Sequence, residues 1–187
     1  MAEFYTHITV FLSIVVALGM AELISAWGDL LRHRKQTQFY WLHAYWSLVV
    51  VFLMVQFWWG LWNFRSMDAW TMTTLIALVG QTILLVLAAQ MQSPKVDLSK
   101  PADMRAYFFE HARVFFLIGV ALLAILGFND IIFLGLPLLD PENLVRAAGI
   151  AICLVAAFQT SQLFHGLLAA TSAVLLVVFT MVSFTPG

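Results

Sequence analysis

Charged residues are scarce in this sequence. Only 10% of its 187 residues are Asp, Glu, Lys or Arg, whereas a soluble domain has about 25%. Hydrophobic residues make up 63%, and the mean hydropathy is +0.93. The apolar runs are too long and too numerous for one soluble core. This composition excludes a soluble protein and predicts an integral membrane protein, and the nine thinly spread Lys and Arg residues argue against nucleic acid as a partner.

Cysteine is almost absent. The single residue, Cys153, excludes an intramolecular disulfide and any metal motif built on cysteine pairs. The sequence also lacks a nucleophile elbow, a phosphate-binding loop, paired catalytic carboxylates and a selectivity filter. We therefore expect no enzymatic activity, and the motifs identify no resident cofactor and no protein family.

Apolar segments dominate what remains. Segments of about 20 residues can cross a bilayer as helices, and the pattern predicts an all-α polytopic membrane bundle with six transmembrane spans, arranged as three helical hairpins. We expect the whole chain, residues 1–187, to form a single transmembrane domain. The predicted spans are 5–31, 38–62, 70–91, 106–128, 144–160 and 163–184.

The distribution of Lys and Arg between loops predicts the orientation. Six of these residues fall in two loops on one side, within Arg32–Lys35 and Lys95–Arg105, whereas Arg65 and Arg146 fall on the other. Because basic loops stay in the cytoplasm, both termini are expected outside a plasma (inner) membrane.

A short sequence pattern occurs twice, and its last part occurs a third time. Phe39–Ala44 (FYWLHA) aligns without a gap with Tyr107–Ala112 (YFFEHA), and Phe164–His165 repeats its end. Each copy opens an apolar run at the same predicted membrane face, as in the parallel repeats of some transporters. Alternatively, aromatic residues and histidine simply suit the membrane interface.

Glu22 is the most informative single residue. It lies about one turn from the middle of the first span, where a charge costs at least a few kcal/mol. Such a side chain usually turns inward and is paired or protonated. Its alternative role is a hydrogen bond that locks the span to a neighbour. In the same span, Ala17 and Ala21 flank Gly19 in a patch of small residues suited to close helix packing.

Further polar residues are predicted near the cytoplasmic face. Glu110 and Arg113, like Asp29 and Arg32, are spaced i,i+3 and can pair on one helix face. The six transport or gating candidates share that half of the bundle: Glu22, Glu110, His111, Arg113, His43 and Asp29. If the chain holds a haem or a metal, three histidines at one depth are the candidate ligands: His43, His111 and His165.

These features lead to three functional hypotheses. The first is a channel or secondary transporter for a proton, cation or small solute, with Glu22 as the gating or coupling carboxylate. The second is an accessory or assembly subunit of a larger membrane complex without flux of its own. The third is a membrane redox protein with haem or metal on the histidines. The expected partners are the lipid bilayer and either further copies of the chain or other membrane subunits.

Overall fold

The structure is a computed structural model that describes residues 2–66, 70–95 and 101–183. Nearly all of this part is helical, with a six-residue 3-10 helix at Leu61–Ser66 and a two-residue strand pairing as the exceptions. Within these ranges, the first five α-helices are long and apolar enough to cross a membrane, which confirms the helical membrane class; the sixth span stays a prediction. The α-helices are α1 (Ala2–Arg32), α2 (Trp41–Gly60), α3 (Met72–Met91), α4 (Met104–Ile132), α5 (Pro141–Phe158) and α6 (Gln162–Ser183).

Local capping explains why α4 and α5 begin two and three residues earlier than predicted. α4 begins at Met104 because the Asp103 carboxylate accepts hydrogen bonds at 2.9 and 3.1 Å from two backbone N–H groups of the first turn. α5 begins at Pro141, where a proline suits the first helical position. The Asp140 side chain caps it by accepting a bond from the N–H of Glu142 at 2.9 Å.

The chain divides into two compact units, residues 1–111 and 112–187, with the boundary inside α4. In the first unit, α1 packs along α3 more extensively than along α2. The first two predicted spans are therefore not an isolated hairpin. The buried residues of α1 recur at three- and four-residue intervals, which places them on one face of the helix. Its buried residues include Leu12, Val16, Gly19, Leu23 and Ala26.

Gly19 lets α1 approach its neighbours closely. A Cβ atom at this position would lie 3.0 Å from Met54 Cε and 3.1 Å from Val86 Cγ2. The predicted close packing is therefore confirmed at Gly19. Ala17 and Ala21 are exposed instead, because a two-residue offset turns a side chain by about 200° around a helix.

The two basic loops meet at one end of the first unit. The strand β1 (Thr37–Gln38) pairs in parallel with β2 (Ala102–Asp103). The N–H of Ala102 also donates to the carbonyl of Gln36 at 2.8 Å. Lys100, counted above among the basic residues of the second loop, lies outside the described residues.

Aromatic contacts close the opposite end of this unit. The Tyr5 hydroxyl, at the start of α1, donates to the carbonyl of Leu61 at 3.2 Å. The Tyr5 ring lies 6.1 Å from that of Trp70, which in turn lies 6.4 Å from that of Phe64. These contacts hold the start of α1 against the segment that connects α2 to α3.

In the second unit, α5 and α6 pack against each other across the short link 159–161, as predicted for the last hairpin. Gly149 on α5 provides a close approach to α4, because a Cβ atom there would lie 3.0 Å from Leu123 Cδ1. Phe184, the predicted end of the sixth span, lies outside the described residues.

Candidate functional sites

Glu22 is exposed on the outer face of α1, and the expectation that it turns inward is wrong. Leu23 and Gly19 occupy the packed face of the helix, which rotates Glu22 away from α3. Glu22 lies about 5 Å along the helix axis from the centre of the apolar stretch Tyr5–Arg32. When that stretch is centred in a bilayer, the carboxyl lies within the roughly 30 Å hydrocarbon layer.

Other small and polar residues share this face. Ala17, Ala21 and Ser25 are exposed at four-residue intervals beside Glu22, so they form a continuous stripe along the helix. We call this set of four residues the outer face of α1. These four residues contribute one carboxyl, one hydroxyl and two methyl groups, and the exposed side chains of Ile14 and Leu18 lie beside them.

The two predicted ion pairs have different outcomes. Arg32 Nη2 lies 2.5 Å from Asp29 Oδ1, so this pair is confirmed, but both side chains are largely exposed. Such a pair contributes little to stability. Within the described residues, Glu110 and Arg113 do not form an ion pair. The guanidinium carbon of Arg113 instead lies 5.0 Å above the centre of the Phe158 ring. Glu110 is exposed on α4.

His43 is buried and caps the C-terminal end of α3. Its Nε2–H donates to the carbonyl of Gln92 at 3.2 Å, because a carbonyl can only accept. The Tyr107 hydroxyl donates to the neighbouring carbonyl of Met91 at 3.1 Å. The last carbonyls of a helix have no intrahelical partner. The two side chains therefore satisfy acceptors that α3 leaves open.

His165 makes the same kind of contact in the second unit. It is fully buried, and its Nε2–H donates to the carbonyl of Gln159, the residue directly after α5, at 2.9 Å. Its ring stacks on Phe116, with the ring centres 5.5 Å apart. His165 therefore joins α6 to the end of α5 and packs against α4.

His111 differs from the other two histidines. Its Nδ1–H donates to the carbonyl of Tyr107 on its own helix at 2.9 Å, and its ring stacks on the Tyr107 ring at 4.3 Å. His43 caps the helix that follows its own, whereas His165 caps the helix that precedes its own. The shared sequence pattern therefore does not correspond to a repeated hairpin contact.

Within the described ranges, no three His, Cys, Asp or Glu side chains come together as a metal site. The Nε2 atoms of His43 and His165 point to backbone carbonyls at hydrogen-bond distance. To bind a haem iron or another metal, either histidine would have to lose this hydrogen bond or bind through its other ring nitrogen. The geometry therefore gives no support to the redox hypothesis.

A buried ionic cluster joins α4 to α5, and the sequence did not predict it. Arg146 is only 6% exposed and pairs with the carboxylates of Asp130 and Glu142, the latter at 2.9 Å. Its Nη1 also donates to Asn143 Oδ1 at 2.6 Å, and the Asn143 amide donates to the carbonyl of Pro137 at 2.8 Å. The cluster holds the end of α4 against the start of α5.

One sequence signal pointed to this cluster. Glu142 and Arg146 are spaced i,i+4, a favourable spacing for an ion pair on a helix. From the distribution of Lys and Arg, Arg146 was expected only as a charge at the outer side, next to the predicted start of the fifth span at residue 144. The partner Asp130 is 16 residues away, so packing rather than local spacing brings the two together.

Comparison of the chain with protein-family profiles, with curated proteins and with solved structures finds no match. The geometry described above is therefore the basis for a functional interpretation.

Proposed function

We propose that this chain is an integral membrane subunit that assembles through the outer face of α1, and that the partner is a second copy of the chain. The observation that carries the proposal is the exposed carboxyl of Glu22 near the middle of an apolar helix. Facing lipid, an ionisable side chain at this depth costs a few kcal/mol. A neighbouring helix that accepts or donates a hydrogen bond removes much of this cost.

The composition of the face supports a second copy as the partner. Ala17 and Ala21 form a small-xxx-small pattern, which lets two helix backbones approach closely. Ser25 lies almost one turn from Glu22 on the same side, so the face carries both a hydrogen-bond donor and an acceptor. A two-fold pair needs a self-complementary surface of this kind. The proposal involves no catalytic step.

Two substitutions of Glu22 test the proposal. Glu22→Gln keeps a side chain that donates and accepts hydrogen bonds, whereas Glu22→Leu removes both capacities. We expect Glu22→Leu to weaken self-association by roughly tenfold, since an interhelical polar contact contributes about 1–2 kcal/mol. Glu22→Gln should retain it. Energy transfer between labelled copies in liposomes, at several protein-to-lipid ratios, measures the affinity.

The matched control is Ile83→Gln, which places a polar amide on an exposed residue of α3 and leaves the outer face of α1 unchanged. If wild type and Glu22→Leu associate equally, self-assembly through this face is refuted. A wild-type protein that stays monomeric at every ratio would contradict the second copy and favour a helix of another membrane protein.

The second candidate function is permeation of a proton, cation or small solute along such an interface. The observation that favours it is again Glu22, because a carboxyl between two copies can exchange protons within the membrane. Proteoliposome flux from pH 5.5 to 8 separates the two functions. Transport predicts flux that Glu22→Gln abolishes, whereas assembly alone predicts no flux in either protein.

We also propose that the basic loops face the cytoplasm of a plasma (inner) membrane, with both termini outside. The pairing of β1 with β2 supports a common side for the two loops. In a Cys153→Ala background, Lys35→Cys should resist an impermeant thiol reagent added to whole cells, and Asn63→Cys should react. The reverse pattern would contradict this orientation.

A further inference from the structure

A cavity of about 340 Å³ lies in the first unit at the basic end of α1 and α2. Its volume is in the range of small-molecule sites, roughly 300–1,000 Å³. The wall is mainly apolar and aromatic, but Arg34, Thr37 and Tyr40 also line it. Other residues that line it include Trp27, Leu31, Phe39 and Leu48.

Tyr40 carries an unused hydrogen-bonding group in this wall. The residue is 6% exposed, and its hydroxyl has no hydrogen-bond partner within the described part of the chain. Its ring is held by Phe108 and Phe109, with ring centres 5.7 and 6.1 Å away. A buried hydroxyl without a partner costs free energy, so a ligand that accepts its hydrogen bond is favoured.

Positive charge lies at one side of the same cavity. Arg34 lines it, and Arg105 is close enough to influence Tyr40 electrostatically. Burial raises the pKa of the Tyr40 phenol, although the charge of Arg105 acts in the opposite direction. The phenol therefore stays protonated at neutral pH and can donate a hydrogen bond. The cavity thus combines an apolar wall, a neutral donor and the guanidinium group of Arg34, and the charge of Arg105 acts on Tyr40 nearby.

We propose that this cavity binds one anionic phospholipid. An acyl chain lies along Trp27 and Leu48, the phosphate meets Arg34, and the Tyr40 hydroxyl donates to an oxygen of the headgroup region. Basic pockets between helices at a charged membrane face recognise lipid headgroups in this way. The lipid covers apolar surface and supplies the acceptor that Tyr40 lacks. This site is independent of the outer face of α1.

Native mass spectrometry of the full-length protein in detergent tests the proposal. The probes are phosphatidylglycerol and phosphatidylcholine with identical acyl chains. We expect one phosphatidylglycerol to bind in preference to phosphatidylcholine. Arg34→Gln should weaken phosphatidylglycerol binding by roughly fivefold, the effect expected of one basic group near an anionic lipid. Tyr40→Phe should weaken it by roughly 2- to 10-fold.

Lys35→Gln is the matched control, because it removes the same charge from an exposed neighbour that is not part of the cavity wall. It should bind like wild type. Equal retention of both lipids, or equal losses in Arg34→Gln and Lys35→Gln, would overturn the proposal. The proposal would also be overturned if a neutral quinone displaced the lipid and if binding of that quinone depended on Tyr40 but not on Arg34.

Discussion

At the residue scale, buried polar side chains mainly hold helix ends in place. His43 and Tyr107 satisfy the last carbonyls of α3, and His165 satisfies the carbonyl that ends α5. Arg146 joins the end of α4 to the start of α5. Polar groups inside an apolar protein are costly unless they are paired. These residues therefore stabilise the fold, and Glu22 differs from them because it faces outward.

Arg146→Met should lower the free energy of unfolding by roughly 3–5 kcal/mol, because it leaves the Asp130 and Glu142 carboxylates without their buried counterion. Arg32→Met removes an exposed pair and should cost about 1 kcal/mol or less. Unfolding of both variants in detergent, followed by tryptophan fluorescence, gives the comparison. Equal destabilisation would contradict the structural role of the cluster.

His43→Leu should cost about 1–3 kcal/mol, since it leaves the buried carbonyl of Gln92 without a donor. Backbone amides in the last turn of α3 should also exchange with deuterium faster. His7 is exposed, so His7→Leu is the control and should leave exchange in α3 unchanged. Unaltered exchange in His43→Leu would show that the capping bond is dispensable.

At the scale of elements, the rotation of α1 was the property that sequence could not predict. The helix is apolar nearly all around, so its hydrophobic periodicity is weak. Rotation is set by the close contact of Gly19 with Met54 and Val86. By contrast, composition alone predicted the helical membrane class, and the spacing of Asp29 and Arg32 predicted their ion pair. The Asp130–Arg146 contact was missed because it depends on how α4 packs against α5.

Gly19→Val should destabilise the protein by about 1–3 kcal/mol, because the added atoms would collide with Met54 and Val86. Gly28→Val makes the same substitution in the same helix, where the nearest atom is Arg32 Nη2 at 3.9 Å. Thermal unfolding in detergent should show a lower midpoint for Gly19→Val than for Gly28→Val. Equal midpoints would contradict the close packing of α1.

At the scale of the whole molecule, most of the predicted polar residues have a structural partner, and Glu22 is set apart by its position. Its carboxyl is exposed near the middle of an apolar helix beside Ala21 and Ser25. A water-filled path through one copy of the first unit would not include this side chain, because it faces away from α2 and α3. Assembly through α1 accounts for its position, and a permeation path requires the same contact.

Disulfide cross-linking across the outer face of α1 tests this account most directly. In a Cys153→Ala background, Ala21→Cys places a thiol on the exposed face, whereas Ala26→Cys places one on the buried face. We predict that mild oxidation in native membranes converts Ala21→Cys into a covalent dimer and leaves Ala26→Cys monomeric. If Ala21→Cys also stays monomeric, or if both variants cross-link equally, the outer face of α1 is not the contact between copies.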